Sequence, residues 1–330
     1  MTRTVARPTV HDVVSAYRTI RPHVRRTPLV DVTLPGEDGH RVALKLESLQ
    51  PTHSFKVRGA VNAALRLRNA SSASAPRELV TASAGNHGQA LAYAARLAQL
   101  PLVVFTPTDA PQAKLAKIRE LGATLRAEAH GYDETEPLAL AYAERTGAMY
   151  VSPYNDADVI AGAGTVALEV LDQRPDLDTI VLPAGGGGLI SGIAIAMKAL
   201  APRVRVVGVE PAHNPAFTSA LAAGRIVTID PRPTIADGLS GNMEPGSVTF
   251  NSVRELVDEI VQVTEDDLDS ALARLFEREH LVAEGAGAAA FAAVLAGRVP
   301  GERIVAVLSG ANIDTDRLVG ALARARSAAG

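Results

Sequence analysis

Residues 179–192 read TIVLPAGGGGLISG. The first six are apolar or β-branched and predict a strand. Gly185, Gly186, Gly187 and Gly188 follow at once, and residues 188–200 read as an apolar helix. A strand that runs through glycines straight into a helix is one step of an α/β chain, whose parallel sheet is covered by helices. Glycines at that junction let backbone N–H groups approach a phosphate closely, and the positive end of the helix dipole favours one there.

Outward from this unit the alternation repeats. Strands are predicted at 42–46, 79–82, 102–106, 124–127, 179–184, 204–210, 259–263 and 303–309. Alanine-rich helical stretches lie between them at 55–69, 87–99, 111–121, 134–147, 156–173, 188–200, 265–279 and 284–297. The expected fold class is α/β, with open, mostly parallel twisted sheets flanked by helices. Thr264, with Asp267 three residues later, marks a helix start. Residues 68–79, RNASSASAPREL, read as an exposed loop and not as a linker, because strong periodicity resumes directly after them. No internal repeat is visible. The last helical stretch runs to the C-terminus, so no appended regulatory domain is expected.

Composition narrows the function. With 330 residues, 47% of them apolar, the chain can bury a full core without disulfides or metals. There are no cysteines, which excludes a thiol nucleophile and cysteine-ligated metal sites. The net charge of −3, with no basic block, does not resemble a nucleic-acid footprint. No apolar run reaches eighteen residues and the N-terminus has no signal-like apolar region, so neither membrane nor secretion is expected, and the cytoplasm is.

In open parallel sheets, ligands bind beyond the carboxyl ends of the strands. There the sequence has SAGNHGQA (83–90), GGGGLISG (185–192), SGAN (309–312) and Glu210. The glycine run lacks the Lys-Ser/Thr of a P-loop. It meets the first two glycines of the dinucleotide pattern, but Ile190 stands at the third, although Glu210 imitates the ribose-binding acid. A nicotinamide dehydrogenase therefore competes on local evidence, yet it has no use for SAGNHG or for Lys56 in THSFKVRGA (52–60). A phosphate cofactor that needs a lysine is pyridoxal phosphate, whose aldehyde forms a Schiff base with an amine and whose ring draws off electrons. Lys56, the glycine run, Asn86 and Ser309 can serve its aldehyde, phosphate, ring oxygen and ring nitrogen.

Together HSFKVRGA (53–60), SAGNHGQA (83–90), VIAGAGTVALEVL (159–171), GGGGLISG (185–192), TIADGL (234–239), EGAGA (284–288) and LSGAN (308–312) resemble the serine/threonine dehydratase family of pyridoxal-phosphate enzymes, which have the tryptophan-synthase-β-like fold type II. The resemblance runs from about residue 20 to 312. It implies a two-domain enzyme, with 70–150 as a small mobile substrate domain and 1–69 plus 151–330 as the cofactor domain. It implies that Lys56 is the Schiff-base lysine, that Phe55 flanks the cofactor and that Asn86 bonds the ring hydroxyl. Gly185 to Gly188 and Leu189 then hold the phosphate, Ser309 meets the ring nitrogen, and Glu284 either approaches the ring edge or caps a helix. Ser83, Ala84, Gly85, Asn86 and His87 form the loop that grips the substrate carboxylate. His87 is not needed as a base, since Lys56 fills that role.

The activity implied is loss of water from a β-hydroxy amino acid, L-threonine or L-serine, with 3-hydroxyaspartate and phenylserine as alternatives. The partners implied are that amino acid and further copies of the chain, in a homodimer or homotetramer. The cysteine-synthase branch differs, since it typically carries S-x-K-D-R and T-S-G-N-T-G. Racemases of the family have a second serine where this chain has Ala84, which carries no proton. The family's cation site pairs an acid at Glu210 with one six residues on; here that position is Ala216, so no metal is expected. A cofactor-binding protein without activity is the rival of a different class, and intact Lys56, Asn86 and Ser309 argue against it. Arg58 reads as an ion-pair partner, and Glu210 as structural. Ser240 and Asn242, in 236–247, are candidates for setting substrate size.

Overall fold

The computed structural model describes residues 5–34, 41–70 and 78–328. Its ten described strands are β1 (Leu29–Val32), β2 (Arg41–Leu46), β3 (Leu79–Ala82), β4 (Leu102–Pro107), β5 (Thr124–Ala129), β6 (Met149–Tyr150), β7 (Thr179–Pro183), β8 (Arg205–Pro211), β9 (Glu259–Val263) and β10 (Arg303–Leu308). The described helices are α1 (Val10–Ile20), α2 (Lys56–Arg68), α3 (Asn86–Ala98), α4 (Gln112–Glu120), α5 (Gly131–Thr146), α6 (Ala157–Gln173), α7 (Gly188–Leu200), α8 (Ala216–Ala223), α9 (Val248–Leu256), α10 (Glu265–Glu277), α11 (Gly285–Leu295) and α12 (Thr315–Ala328). All eight strands expected from the sequence are present.

Two sheets form. The larger has the order β1-β2-β10-β7-β8-β9, and only its β1–β2 pairing is antiparallel. The smaller, β5-β4-β3-β6, is parallel throughout. Both faces of the large sheet are covered. In β7, Ile180 and Leu182 enter one core cluster and Val181 the other; in β10, Val305 and Val307 oppose Ile304, Ala306 and Leu308. This is why these strands read as unbroken apolar runs and not as alternating ones. In the smaller sheet, Leu79 and Val104 share a core with Val57, Ala60 and Val61 of α2 and Leu91 of α3, while Val80, Val103 and Phe105 pack on the side of Ala139 of α5.

The sequence reading passes over β1, β6, α1, α8 and α9. β1 is an edge strand with two exposed central residues, and β6 has two residues, so neither carries an apolar run. α1 is signalled by a capping box, Thr9 with Asp12. The predicted start of α10 has the same box, Thr264 with Asp267. Of the predicted loop 68–79, residues 71–77 lie outside the described residues.

Two features fix the helix that begins at Lys56. α2 crosses α6 at Gly59 and Gly162, so closely that a Cβ on Gly162 would lie 2.6 Å from the Arg58 carbonyl oxygen. Beneath that crossing is a buried cluster of two cations and two carboxylates. Arg58 pairs with Glu47 at 2.7 Å and with Glu169 at 2.8 Å, and Lys45 pairs with Glu169 at 2.7 Å. Thr27 and Gln50 donate to Glu47, and Lys45 also donates to the Thr27 carbonyl and to Gln173. The charges balance and each has several partners, which is what makes such burial tolerable. Arg58 is thus the ion-pair partner the sequence suggests.

Candidate active site

The parallel topology brings the carboxyl ends of β3, β4, β7 and β10 to one cleft of about 400 Å³. Phe55, Lys56, Ser83, Ala84, Gly85, Asn86, His87, Gly185, Gly186, Gly187, Gly188, Leu189, Glu284 and Ser309 all line it, so every site residue named from the sequence meets there.

Lys56 opens α2. Its approach is knitted to the loop after β10: Phe55 N–H donates to the Ser309 carbonyl at 3.0 Å, and Ala311 N–H to the His53 carbonyl at 2.9 Å. The Lys56 amine donates to the Pro153 carbonyl at 2.7 Å and lies 5.2 Å from the centre of the Phe55 ring. Burial pushes its pKa down to about 8 against the opposing pull of Glu284. Near neutral pH a useful fraction of this amine is therefore free base.

Gly185 to Gly188 turn from β7 into α7, with Gly187 at φ +87°, a conformation side-chain-bearing residues rarely adopt. The space beside the bend is already filled. A Cβ on Gly186 would run into the Tyr154 ring, and one on Gly187 would lie 2.7 Å from Phe217 and 2.8 Å from Thr249. Thr249 also donates to the Gly186 carbonyl at 2.8 Å, and Glu244 N–H donates to the Tyr154 hydroxyl at 2.8 Å. The bend is held with its N–H groups at the start of α7, where a phosphate is favoured.

Asn86 opens α3 behind the Ser83–Gly85 turn, in which Gly85 N–H donates to the Ser83 hydroxyl at 3.2 Å. The Asn86 amide donates to Glu284 at 2.5 Å and accepts from Asn312 at 2.7 Å. Glu284 stands at the cap position of α11 but makes no capping bond; its carboxylate goes to Asn86 instead. Burial pushes its pKa up to about 7, against the Asn86 hydrogen bond. His87 is buried, and its Nε2 meets the Val151 carbonyl at 3.2 Å. Burial, reinforced by Lys56, drives its pKa down to about 3, so the ring is neutral and holds the loop by donating its Nε2 proton to the Val151 carbonyl. Ser309 directly follows β10 and is buried among these groups.

Several lining residues escape the sequence reading. Pro153 and Tyr154 follow a strand too short to read, while Asn312 stands in a motif whose serine draws the attention. Lys114 of α4 and Asp237 pair at 3.4 Å, and Arg317 holds Asp237 at 2.7 Å. Ser240 and Asn242 also line the cleft, but their side-chain bonds go to Asn214 and to the Ile229 backbone. Glu210 lies outside the cleft, where it accepts from the N–H groups of Phe217 and Thr218 at the start of α8. It is thus occupied structurally and is not the ribose acid of a dinucleotide site. Among the described residues no group of three or more His, Cys, Asp or Glu is placed to hold a metal, and no helix is long and apolar enough to cross a membrane.

The residues present fit pyridoxal phosphate. A lysine amine of lowered pKa, a glycine bend at a helix start, an amide with one N–H uncommitted among the bonds above and a neutral hydroxyl all border one cleft. Comparison with known proteins agrees. A family model described as pyridoxal-phosphate dependent enzyme matches residues 20–310. The L-threonine ammonia-lyase of Thermotoga maritima is 41% identical over 312 residues, covering 94% of this chain and 77% of that protein. The crystal structure of the T.th. threonine deaminase superposes with a TM-score of 0.84 at 39% identity, covering 93% of this chain and 99% of that one. Maize serine racemase superposes with a TM-score of 0.87 at 31% identity, covering 98% and 99%.

Proposed function

The chain belongs to the family of pyridoxal-phosphate dependent enzymes, and we propose that it is the ammonia-lyase of a small β-hydroxy amino acid, converting L-threonine to 2-oxobutyrate or L-serine to pyruvate. The observation that carries this reading is the convergence of the Lys56 amine, the 185–188 bend, Asn86 and Ser309 on one cleft. When bound, the cofactor supplies an aldehyde for an amine and a ring that accepts the electron pair left at Cα.

The chain's residues do the rest. Lys56 would hold the cofactor through its amine and, when the substrate amine takes its place, would be the base for the Cα proton, with burial lowering its pKa. The bend binds the phosphate. The loop of Ser83, Ala84, Gly85, Asn86 and His87 binds the substrate carboxylate; the Ser83 and Gly85 N–H groups are committed to the Phe105 carbonyl and the Ser83 hydroxyl, so the N–H groups of Asn86 and His87 at the start of α3 are the donors. Loss of the β-hydroxyl as water, then uptake of water by the released imine, gives the oxo acid and ammonia. Ser309 offers a neutral hydroxyl to the ring nitrogen, a weaker support for positive charge than a carboxylate. With the cofactor bound, that would favour elimination over transamination. Ala84 carries no proton, which favours elimination over the racemisation named for the maize relative.

Among the described residues, the cation bordering the cleft apart from Lys56 is Lys114, and its pairing with Asp237 favours a neutral substrate side chain over the second carboxylate of 3-hydroxyaspartate. We read 70–150, with its four-stranded sheet, as the mobile substrate domain and the enzyme as a cytoplasmic homodimer or homotetramer.

The test is an absorbance spectrum of the purified protein, then addition of L-threonine or L-serine with detection of the oxo acid. A cofactor band that shifts as 2-oxobutyrate or pyruvate appears is expected. Lys56→Ala should keep the far-UV circular dichroism and lose both the band and the product. Turnover retained in that variant overturns the reading.

A further inference from the structure

Asn312 borders the cleft at the end of the 309–312 loop and is 9% exposed. Its Nδ2 donates twice, to the Thr52 carbonyl at 2.9 Å and to Asn86 Oδ1 at 2.7 Å. A backbone carbonyl only accepts. The end of the Asn312 amide near Thr52 must therefore be its NH2. The atom of Asn86 that meets the same NH2 must be an oxygen. That turns the Asn86 NH2 to the opposite side, where Glu284 accepts one of its hydrogens at 2.5 Å. The two ends of an amide have nearly the same shape, so packing alone does not choose between them. The choice is made from two sides: by a backbone oxygen four residues before Lys56, relayed through Asn312, and by the Glu284 carboxylate.

We propose that Asn312 is a positioning residue that fixes which end of the Asn86 amide faces the cofactor. This rests on the reading above that Asn86 meets the ring oxygen. An N–H there favours the ionised ring oxygen; a carbonyl oxygen there favours the protonated one. The Thr52 anchor also lies in the segment that presents Lys56, so the lysine and the amide are set from one stretch of backbone.

The experiment compares wild type, Asn86→Ala, Asn312→Asp and Asn312→Ala, each loaded with pyridoxal phosphate. An aspartate at 312 accepts only, so it repels the Thr52 carbonyl and draws the Asn86 NH2 towards itself. The readouts are the ratio of the two absorbance forms of the bound cofactor, ring oxygen protonated or ionised, at fixed pH, and the cofactor Kd by equilibrium dialysis. Asn86→Ala sets the scale, with a shift of about tenfold in each, the worth of one hydrogen bond to a charged group. Asn312→Asp should reproduce at least half of that shift on a logarithmic scale, and Asn312→Ala at least a threefold change. If Asn86→Ala shifts both readouts while both Asn312 variants keep wild-type values, Asn312 merely packs the loop and the inference fails. If Asn86→Ala itself changes neither, the reading of Asn86 fails and takes the inference with it. Should Asn312→Asp not fold, Asn312→Ala decides alone, since a purely structural loss lowers Tm without changing the ratio.

Discussion

Replacing Glu169 by glutamine should unbalance the charge cluster beneath Lys56. Glu169 is the partner of both Lys45 and Arg58, and their side chains are almost wholly buried. The substitution conserves shape and removes one negative charge, leaving two cations to share Glu47. Breaking a buried pair in this way costs about 3–5 kcal/mol, because the stranded charge keeps its desolvation penalty. For a chain of 330 residues the unfolding entropy is about 0.7 kcal/mol per degree, so Tm should fall by about 4–7 °C. The sharper test is the double variant Lys45→Met with Glu169→Gln. It leaves one balanced pair, Arg58 with Glu47, and should recover at least half of the loss. Urea unfolding of the wild type, both single variants and the double variant completes the cycle, with constant m-values as the check that only stability has moved. A single-variant cost below about 1 kcal/mol, or costs that simply add in the double variant, would refute the argument that charge balance holds this crossing together.

Other consequences are more local. In the cofactor-free protein, Lys56 should react with an amine-directed reagent with a midpoint near pH 8, the rate falling as protonation sets in below it; mass spectrometry of the labelled peptide reads this, and a midpoint near that of ordinary lysines, about 10.4, contradicts it. Gly187→Ala forces a left-handed backbone and a clash with Phe217 and Thr249, so cofactor Kd by dialysis should rise at least about tenfold, corresponding to roughly 1.4 kcal/mol of the strain. Ala84→Ser should raise the production of D-serine from L-serine, seen by chiral chromatography; an unchanged rate means that a serine alone does not restore the second proton. Thr264→Ala, which removes the cap of α10, should cost about 1 kcal/mol in urea unfolding and leave turnover untouched.

How far the sequence can be read depends on whether a feature is local. The 179–192 unit is fully legible, because the apolar run, the glycines and the helix are contiguous. The edge strand 29–32 is not, because half of its residues face solvent and it pairs in the opposite sense to the rest of its sheet. The charge cluster is hidden for another reason. Lys45 and Glu47 sit at the end of an apolar strand and look like its solvated tip, and only the pairing of Glu47 with Arg58 and of Lys45 with Glu169, more than a hundred residues on, shows them to be interior. The site divides in the same way. Lys56, the 83–87 loop and the glycine bend have motifs of their own. Tyr154 has none; it is needed because a glycine far away in sequence leaves room for its ring. Glu284 is visible as a residue, but its bond to Asn86 rather than to its own helix is not.

The position of β10 bears on how the protein is made. The last strand in sequence lies between β2 and β7, both of which emerge from the ribosome long before it. Until residues 303–308 arrive, the large sheet is two fragments with facing unpaired edges, the kind of surface that recruits foreign strands. Neither Ser309 nor Asn312 is yet present to complete the cleft. A nascent or truncated chain ending before 303 should therefore lack the site altogether, not hold a weakened one, and should depend on chaperones or on speed of completion to escape aggregation.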